Sequence, residues 1–201
     1  MTAEIFQTSE ARRSQSAATI FEMMKSDNFL ELPITTADGE FIAHYSEKGL
    51  AEIDWPKNGR AELALGQAAQ QRRPTKSKDI PAKIRKWHRT TETALKAILA
   101  GREPKTFPPL DVTGTAFQKS VWRAMQKISL GKTKSYGEIA AAIGNPKAVR
   151  AVGGACGANP IPVLVPCHRV LAANNKLGGF GGGLDWKRSL LAREGVSLLC
   201  Q

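Results

Sequence analysis

The stretch SYGEIAAAIGNPKAVRAVGGACGA, residues 135–158, predicts two short helices joined by a tight turn. Ser135 and Glu138 have the spacing of a capping box, which begins a helix, and Gly144 is the kind of residue at which a helix ends. An Asn-Pro pair follows directly and combines an N-cap residue with proline at the first helical position. We therefore expect a second helix over 146–158, and the two helices together predict a helix-turn-helix.

The second of these helices has an unusual composition. Gly153, Gly154 and Ala155 are small, and glycine weakens a helix, so a helix that serves only the core would avoid it. Lys147 and Arg150 add positive charge to the same segment. Two interpretations are open: the small residues allow tight packing inside the protein, or they allow the helix to lie close to DNA.

The charge of the chain predicts a polyanionic partner. The 201 residues carry a net formal charge of +11. Residues 1–71 hold 6 Lys and Arg against 11 Asp and Glu (net −5), residues 72–105 hold 11 against 3 (net +8), and residues 106–201 hold 12 against 4 (net +8). Such an excess favours nucleic acid or an acidic membrane surface as the partner, and we expect the second half of the chain to face it.

The three cysteines predict free thiols. Cys156, Cys167 and Cys200 form no CxxC pair, and the simplest interpretation of Cys200 is an incidental exposed thiol. The N-terminal segment lacks the apolar core of a signal peptide, and the longest uncharged run, 151–167, is too short and too rich in Gly and Pro to span a bilayer. We expect a protein of a reducing, intracellular compartment, where a lone reactive thiol persists.

The first half of the chain predicts a small sheet and two helices. FLELPITTADGEFIAHYSEKGLAEIDWP (29–56) alternates apolar and polar residues between turn signals, as expected of a three-strand antiparallel meander in which His44 is an ordinary strand residue. A short helix is a candidate over 12–26, and a longer one is expected over about 80–100. The longer helix has an apolar face of Ile80, Ile84, Trp87, Leu95, Ile98 and Leu99 and a solvated face of Lys83, Arg85, Lys86 and Arg89.

The composition changes near residues 105–112, where we place a domain boundary. QQRRPTKSKD (70–79) is typical of an exposed loop, and TFPPL (106–110) is typical of a linker. The boundary gives an N-terminal domain over 1–108 and a C-terminal domain over 109–201. The second domain begins with a further helix, whose buried face is predicted to consist of Phe117, Val121, Trp122, Met125 and Ile128.

The stretch IPVLVPCHRVLAANNKLGGFGGG (161–183) places Cys167 between an apolar run and a series of glycines. Apolar surroundings raise the pKa of a thiol and make it an inert core residue, whereas the neighbouring His168 and Arg169 favour the thiolate. The glycines indicate that another molecule approaches the backbone closely. From these residues alone, Cys167 is either a buried structural thiol or a reactive nucleophile.

Several segments of the second half resemble a known family. PCHRV (166–170), in this context, resembles the active-site region of the 6-O-alkylguanine-DNA alkyltransferases, the methylated-DNA–protein-cysteine methyltransferases. The similarity extends through nearly all of 111–196 and includes GTAFQKSVWRAM (114–125), SYGEIAAAIGNPKAVRAV (135–152), RAVGGACGANPIPVLV (150–165) and GGFGGGLDWKRSLLAREG (178–195). GEFIAHYSEKGLAEIDWP (39–56) is similar to the strands of the family's N-terminal domain.

The resemblance implies a fold and a reaction. It implies an α/β, RNase H-like N-terminal domain with a three-stranded antiparallel sheet, and a mostly α, winged-helix-like C-terminal domain that contains the helix-turn-helix. The implied reaction is suicidal DNA repair, in which the alkyl group of 6-O-alkylguanine moves irreversibly to Cys167. The implied partner is double-stranded DNA containing alkylated guanine, with no cofactor, no metal and no membrane. We expect a monomer in the cytoplasm at the nucleoid, or in the nucleus of a eukaryotic host.

The resemblance also implies roles for individual residues. Cys167 is the nucleophile, and His168 and Glu194 activate it through a water molecule. Tyr136 protonates the departing guanine, Arg150 fills the gap left by the flipped base, and Asn159 is a structural hinge. The implied DNA-binding residues are Tyr136, Lys147, Arg150, Ala151 and Gly154, and the implied substrate pocket consists of Cys156, Val170, Leu177, Phe180 and Gly181. Val170 and Gly181 would offer backbone groups to the base, and Phe180 would form an aromatic wall where a tyrosine is common.

Two other functions are compatible with parts of this pattern. A non-catalytic protein that recognises alkylation damage, or a regulatory DNA-binding protein, would use the same helix-turn-helix, but relatives of that kind replace the cysteine. A cysteine hydrolase built on Cys167 and His168 would need an oxyanion hole and a step in which water releases the acyl group. A helix-turn-helix serves neither requirement of the hydrolase.

Overall fold

The computed structural model describes residues 29–56 and 80–197. The strands are β1 (Leu30–Thr36), β2 (Gly39–Tyr45), β3 (Leu50–Asp54), β4 (Lys134–Ser135) and β5 (Val170–Leu171). The helices are α1 (Ala82–Leu99), α2 (Ala116–Met125), α3 (Tyr136–Ala142), α4 (Val149–Gly157) and α5 (Leu184–Arg193). Short 3-10 turns cover Cys167–Arg169 and Ala173–Asn175. The predicted helix over 12–26, the predicted loop over 70–79 and Cys200 lie outside the described residues.

The predicted meander is confirmed as a three-stranded antiparallel sheet in the order β1-β2-β3. The alternating apolar residues of the strands, including Ile34, Phe41 and Tyr45, are almost fully buried and form the sheet's share of the core. The hydroxyl of Thr36 closes the first hairpin, because it donates to the carbonyl of Gly39 at 2.8 Å. The sheet therefore presents one apolar face to the helices.

Helix α1 covers that sheet, but of its predicted apolar face Trp87 is only half-buried and Ile80 lies before the helix begins. Its buried residues are Ile84, Thr91, Ala94, Leu95, Ile98 and Leu99. Lys83, Arg85, Lys86 and Arg89 are exposed, which confirms the solvated face. Packing of an apolar stripe against a sheet face is the main source of stability for such a helix.

The TFPPL segment is paired with the sheet. The carbonyl of Pro109 accepts from the N–H of Leu50 at 2.8 Å, and the carbonyl of Leu50 accepts from the N–H of Asp111 at 2.8 Å. Leu110 thereby forms a parallel bridge with Leu50 at the edge of the sheet. The connection between the two halves of the chain is thus held by backbone hydrogen bonds, and the boundary between domains 1–108 and 109–201 stays a prediction.

Helices α3 and α4 form the predicted pair, but α4 begins later than predicted. Both halves of the capping box between Ser135 and Glu138 are present, and Gly144 follows α3 with a φ of +76°. The prediction that Asn145 caps a helix starting at Pro146 is wrong, because α4 begins at Val149 and has no side-chain cap. Instead, the N–H of residue 148 donates to the carbonyl of Asn145 at 3.0 Å and closes a turn. Asn is also favoured at the first position of a type I turn and Pro at the second position, so the same pair suits a turn as well as a helix start.

The segment from Ile161 to Leu171 runs through the centre of the molecule, and all of its residues are buried. It ends in β5, which pairs in parallel with β4 and so brings the start of α3 beside the end of the segment. Val163 within it has a φ of +71°, a backbone conformation that a β-branched residue rarely adopts. The architecture is an α/β N-terminal part and a mainly helical C-terminal part. Within the described ranges, the helices are all too short or too polar to cross a membrane.

Candidate active site

Cys167 occupies the first position of a tight turn within the buried central segment. Its backbone N–H donates to the carbonyl of Val165 at 2.8 Å, and the residue is 8% exposed. The side-chain amide of Asn159 donates to the carbonyl of Val165 at 2.8 Å and to the Cys167 sulfur at 3.2 Å. The Asn159 oxygen accepts from the N–H of Ile161 at 3.1 Å. Asn159 thus connects the end of α4 to the turn, which is the geometry that a hinge requires.

Glu194 at the end of α5 binds both residues that follow the cysteine. Its carboxylate lies 2.8 Å from Nε2 of His168 and 2.9 Å from Nε and Nη2 of Arg169. The side chains of His168 and Glu194 are 0% and 1% exposed. Arg169 also donates from Nη1 to the carbonyl of Ile128 at 2.6 Å. The structure therefore brings Glu194 against the residue that directly follows Cys167, while the part of the thiol in the predicted grouping stays a prediction.

The protonation states of this group follow from burial and hydrogen bonding. Burial opposes ionisation of Glu194, but the hydrogen bonds from His168 and Arg169 outweigh it and lower its pKa to about 2. Burial also lowers the pKa of His168, against the opposing effect of Glu194. At neutral pH the histidine is therefore neutral and Nε2 donates to the carboxylate. The other ring nitrogen, Nδ1, is then a free acceptor, and it is buried without a hydrogen-bond partner.

The electrostatics around Cys167 correct one expectation from the sequence. Burial raises the pKa of the thiol, and the Asn159 amide and the positive charge of Lys187 act against that rise. The expectation that Arg169 favours the thiolate is wrong, because its guanidinium is committed to Glu194 and to a carbonyl group. The cation that assists the thiolate is Lys187.

Lys187 is the residue that the sequence analysis missed. Its side chain is fully buried, and its Nζ donates to the carbonyl of Val170 at 2.7 Å and to the carbonyl of Leu177. Burial lowers its pKa to about 8, although the thiols of Cys167 and Cys156 act in the opposite direction. A signal was present in the spacing of α5, since positions 187, 190, 191 and 194 lie on one buried helix face.

Four of the predicted site residues line one cleft of about 520 Å³. They are Tyr136, Arg150, Phe180 and Gly181, and they lie with Val149, Gly153, Gly157 and Gly179. Burial raises the pKa of Tyr136, and the nearby thiols of Cys156 and Cys167 raise it further. The phenol therefore stays protonated and can donate a hydrogen bond into the cleft.

Three other predicted pocket residues, Cys156, Val170 and Leu177, are not among the residues that line this cleft. The sulfur of Cys156 faces the core, 3.5 Å from the sulfur of Met125. The backbone carbonyl groups of Val170 and Leu177 accept hydrogen bonds from Lys187 and so hold its side chain in place. Among the residues that the structure describes, no group of three His, Cys, Asp or Glu side chains could hold a metal ion.

The outer face of α4 is open. Lys147 precedes the helix, and Arg150, Ala151 and Gly154 follow along one exposed face. A methyl group built on Gly153, Gly154 or Gly157 would meet nothing within 4 Å. The interpretation of tight internal packing therefore fails for Gly153 and Gly154 but holds for Ala155, which is buried and whose carbonyl accepts from the indole N–H of Trp122 at 2.8 Å. The small residues leave the helix surface free for contact with another molecule.

Comparisons with known proteins agree with this geometry. A family model described as the DNA binding domain of 6-O-methylguanine DNA methyltransferase matches residues 116–196. A methylated-DNA–protein-cysteine methyltransferase of Methanosarcina barkeri is 37% identical over 170 residues, which cover 83% of this chain and 95% of that protein. One from Mycolicibacterium paratuberculosis is 56% identical over 100 residues, which cover 50% of this chain and 61% of that protein.

A solved structure extends the similarity to the whole fold. The structure described as Mycobacterium tuberculosis OGT in complex with DNA has a TM-score of 0.62 and 36% identity, and the match covers 81% of this chain and 90% of that chain. The Methanosarcina relative and this structure each match more than four fifths of the chain. The chain therefore belongs to the family of methylated-DNA–protein-cysteine methyltransferases.

Proposed function

We propose that this protein repairs alkylated DNA by moving the alkyl group of 6-O-alkylguanine to its own Cys167. The observation that carries the proposal is a buried thiol that is followed in the chain by a buried, neutral histidine held by Glu194. His168 has one ring nitrogen bound to Glu194 and the other buried without a partner. An imidazole held in this way can accept a proton from the thiol through a bridging water.

The residues of the site can donate and accept every proton that the transfer step moves. The thiol proton moves to Nδ1 of His168, and the sulfur forms a bond to the alkyl carbon as the bond from that carbon to the guanine oxygen breaks. The departing guanine takes up negative charge and receives a proton from Tyr136. The proton held on His168 returns to the tyrosinate through solvent. Neutral Tyr136 suits this role, because burial raises its pKa.

The product cannot be recycled by the same site. A thioether has no good leaving group, so water does not regenerate the thiol. The protein is expected to act once and then to be spent. The positive charge of Lys187 and the amide of Asn159 support the thiolate during this single event, since both lower the thiol pKa against burial.

The exposed face of α4 supports binding of duplex DNA. Its small residues allow the helix to approach the DNA backbone, and Lys147 supplies charge for phosphate groups. A reacting base must leave the stack to reach a buried sulfur. Arg150 lines the cleft and is exposed, which supports the proposal that its side chain fills the space left by the flipped base.

Several finer features belong to the same proposal. The N-terminal part is expected to be RNase H-like and the C-terminal part winged-helix-like. We expect a monomer that acts in the cytoplasm at the nucleoid, or in the nucleus of a eukaryotic host. These expectations rest on the family resemblance of the sequence, to which the antiparallel sheet and the paired helices α3 and α4 are well suited.

A single-turnover experiment tests the proposed function. The protein is incubated with a duplex that contains one 6-O-methylguanine, and its peptides are weighed. We expect the peptide containing Cys167 to gain the mass of one CH₂ group, and the Cys167→Ser variant to gain none while it keeps its fold and its affinity for DNA. Cys156 is the internal control, because it is also a buried thiol. Methylation of Cys156 in place of Cys167, or binding without transfer, would reject the assignment.

A further inference from the structure

The wall of the cleft is formed by a loop with few side chains of its own. Residues 178–183 have the sequence GGFGGG, so Phe180 is the one residue of this segment whose side chain is larger than a hydrogen atom. Phe180 is half-buried and lines the cleft. Within the segment, the N–H of Gly183 donates to the carbonyl of Phe180 at 3.0 Å. A glycine-rich loop costs much entropy to order, so its position must be set by contacts with other parts of the molecule.

Tyr136 lies close to Gly178 and Lys187 lies over the ring of Phe180, while contacts with both Phe180 and Gly182 come from Trp55 of the N-terminal part. Trp55 follows β3 directly, and its indole ring lies 5.5 Å from the ring of Phe180 at an angle of 70°. A methyl group built on Gly182 would lie 2.7 Å from Cε2 of Trp55, so the loop backbone rests directly on the indole. The sheet therefore touches both the aromatic wall of the cleft and the backbone that carries it.

Trp55 itself has little freedom to move. Its ring lies 5.9 Å from Phe41, which is fully buried in β2, and 4.9 Å from Trp186 in α5. Aromatic rings packed in tilted and edge-on arrangements at these distances hold each other in defined orientations. The cluster is thus a rigid support that connects the sheet, α5 and the cleft loop.

We propose that Trp55 is a positioning residue that sets the size of alkyl group the cleft accepts, by fixing the place of Phe180. The proposal rests on the proposed alkyl transfer. When the ring of Phe180 is held in one place, it aligns a small alkyl group with the sulfur. When the ring is misplaced, the transfer becomes slower although the reacting atoms themselves are unchanged. A bulky group fills the cleft by itself and depends less on the wall. Loss of Trp55 should therefore harm methyl transfer more than benzyl transfer.

A double-variant cycle on Trp55 and Gly182 tests the contact. In the wild-type background, Gly182→Ala pushes the loop away from the indole, and we expect methyl transfer to slow by about 10-fold or more. In the Trp55→Leu background the obstructing ring atoms are absent, so Gly182→Ala should cause no further slowing. The same non-additivity is expected in the melting temperatures, a measurement that does not depend on activity. Equal effects of Gly182→Ala in both backgrounds would overturn the proposal.

The ratio of two substrates separates positioning from general stability. Single-turnover rates are measured on duplexes that contain 6-O-methylguanine or 6-O-benzylguanine. We expect Trp55→Leu to raise the benzyl-to-methyl ratio, and Trp55→Phe to restore part of the wild-type ratio. Trp87→Leu is the matched control, because Trp87 packs on α1 against Lys83 and should leave the ratio unchanged. An unchanged ratio in Trp55→Leu would mean that Trp55 serves the fold alone. If the wild type transfers neither group, the proposed function has failed, while the melting-temperature cycle still reports on the contact.

Discussion

Replacement of Glu194 by glutamine tests the centre of the site without a change of shape. The carboxylate accepts hydrogen bonds from His168 and from two nitrogens of Arg169, and it donates none. A glutamine presents one oxygen and one NH₂ group. If the NH₂ group faces His168, the ring must accept on Nε2 and carry its proton on Nδ1, which removes the acceptor for the thiol proton. If the NH₂ group faces Arg169 instead, the amide N–H and the guanidinium N–H groups, which are all donors, face each other in a buried site.

The size of the effect on rate follows from the role of the histidine. A positioned general base contributes about 10²- to 10⁴-fold, and we expect Glu194→Gln to lose a factor in this range at neutral pH. The loss should shrink at high pH, where the thiol ionises without help. Because burial raises the pKa of Cys167 above its ordinary value of 9.0, this recovery should begin only above that pH.

The effect on stability can be worked out from the carboxylate. Folding lowers the pKa of Glu194 from 4.5 to about 2, which corresponds to about 3 kcal/mol of stabilisation. Loss of one partner from a buried ion pair costs a similar amount, about 3–5 kcal/mol. Because the folded pKa is the lower one, this contribution is complete above pH 4.5 and is lost as the pH falls toward 2. The difference in stability between wild type and Glu194→Gln should therefore narrow below pH 4.5.

The assay combines single-turnover rates over a pH series with denaturant unfolding of the same samples. Glu92→Gln is the matched control, because Glu92 forms a surface pair with Lys96 and should change neither the rate nor the stability by much. DNA affinity should be nearly equal in all three proteins. If Glu194→Gln transfers methyl at the wild-type rate at every pH while its stability falls, then the carboxylate serves the fold and the histidine relay is wrong.

Three other variants have distinct expected outcomes. Arg150→Ala should slow repair of duplex DNA more than transfer from free 6-O-benzylguanine, since only the duplex has a gap to fill; equal losses in the two single-turnover assays would assign Arg150 to the pocket or the fold. Gly154→Ala should raise the free energy of unfolding by about 0.5–1 kcal/mol, because its new methyl group meets nothing, yet weaken DNA binding in a fluorescence titration; unchanged affinity would remove α4 from the interface. Lys187→Met should move the rate–pH profile to higher pH, because the Cys167 thiol loses the positive charge that lowers its pKa; an unmoved profile would limit Lys187 to holding the carbonyls of Val170 and Leu177.

Much of the fold is encoded in short-range patterns and could be predicted. The alternation in 29–56 predicts the meander because each strand has one buried face. The capping box at Ser135 predicts the start of α3 because its hydrogen bonds join residues three positions apart. The start of α4 at Val149 was predicted wrongly because the Asn-Pro signal suits a turn as well as a helix.

The site was predictable to the extent that the family resemblance reached it. The PCHRV motif and the LLAREG segment allowed Cys167, His168 and Glu194 to be named from the sequence, and the structure brings the side chains of His168 and Glu194 into contact. The sequence did not show what else Glu194 binds. Its pairing with Arg169 removes that arginine from the thiol and leaves the thiol's charge balance to another residue.

Only the tertiary structure decided which residues support the site from a distance. A buried lysine is rare. The spacing of α5 places Lys187 on the buried face of the helix, but it does not indicate that the carbonyl groups of Val170 and Leu177 accept hydrogen bonds from it in the folded chain. Trp55 and Gly182 lie in opposite halves of the sequence, and their contact depends on how the sheet meets α5. Periodicity and capping act over three or four residues, so they determine helices and strands. Contacts across the chain depend on the packing of whole elements, which no local pattern records.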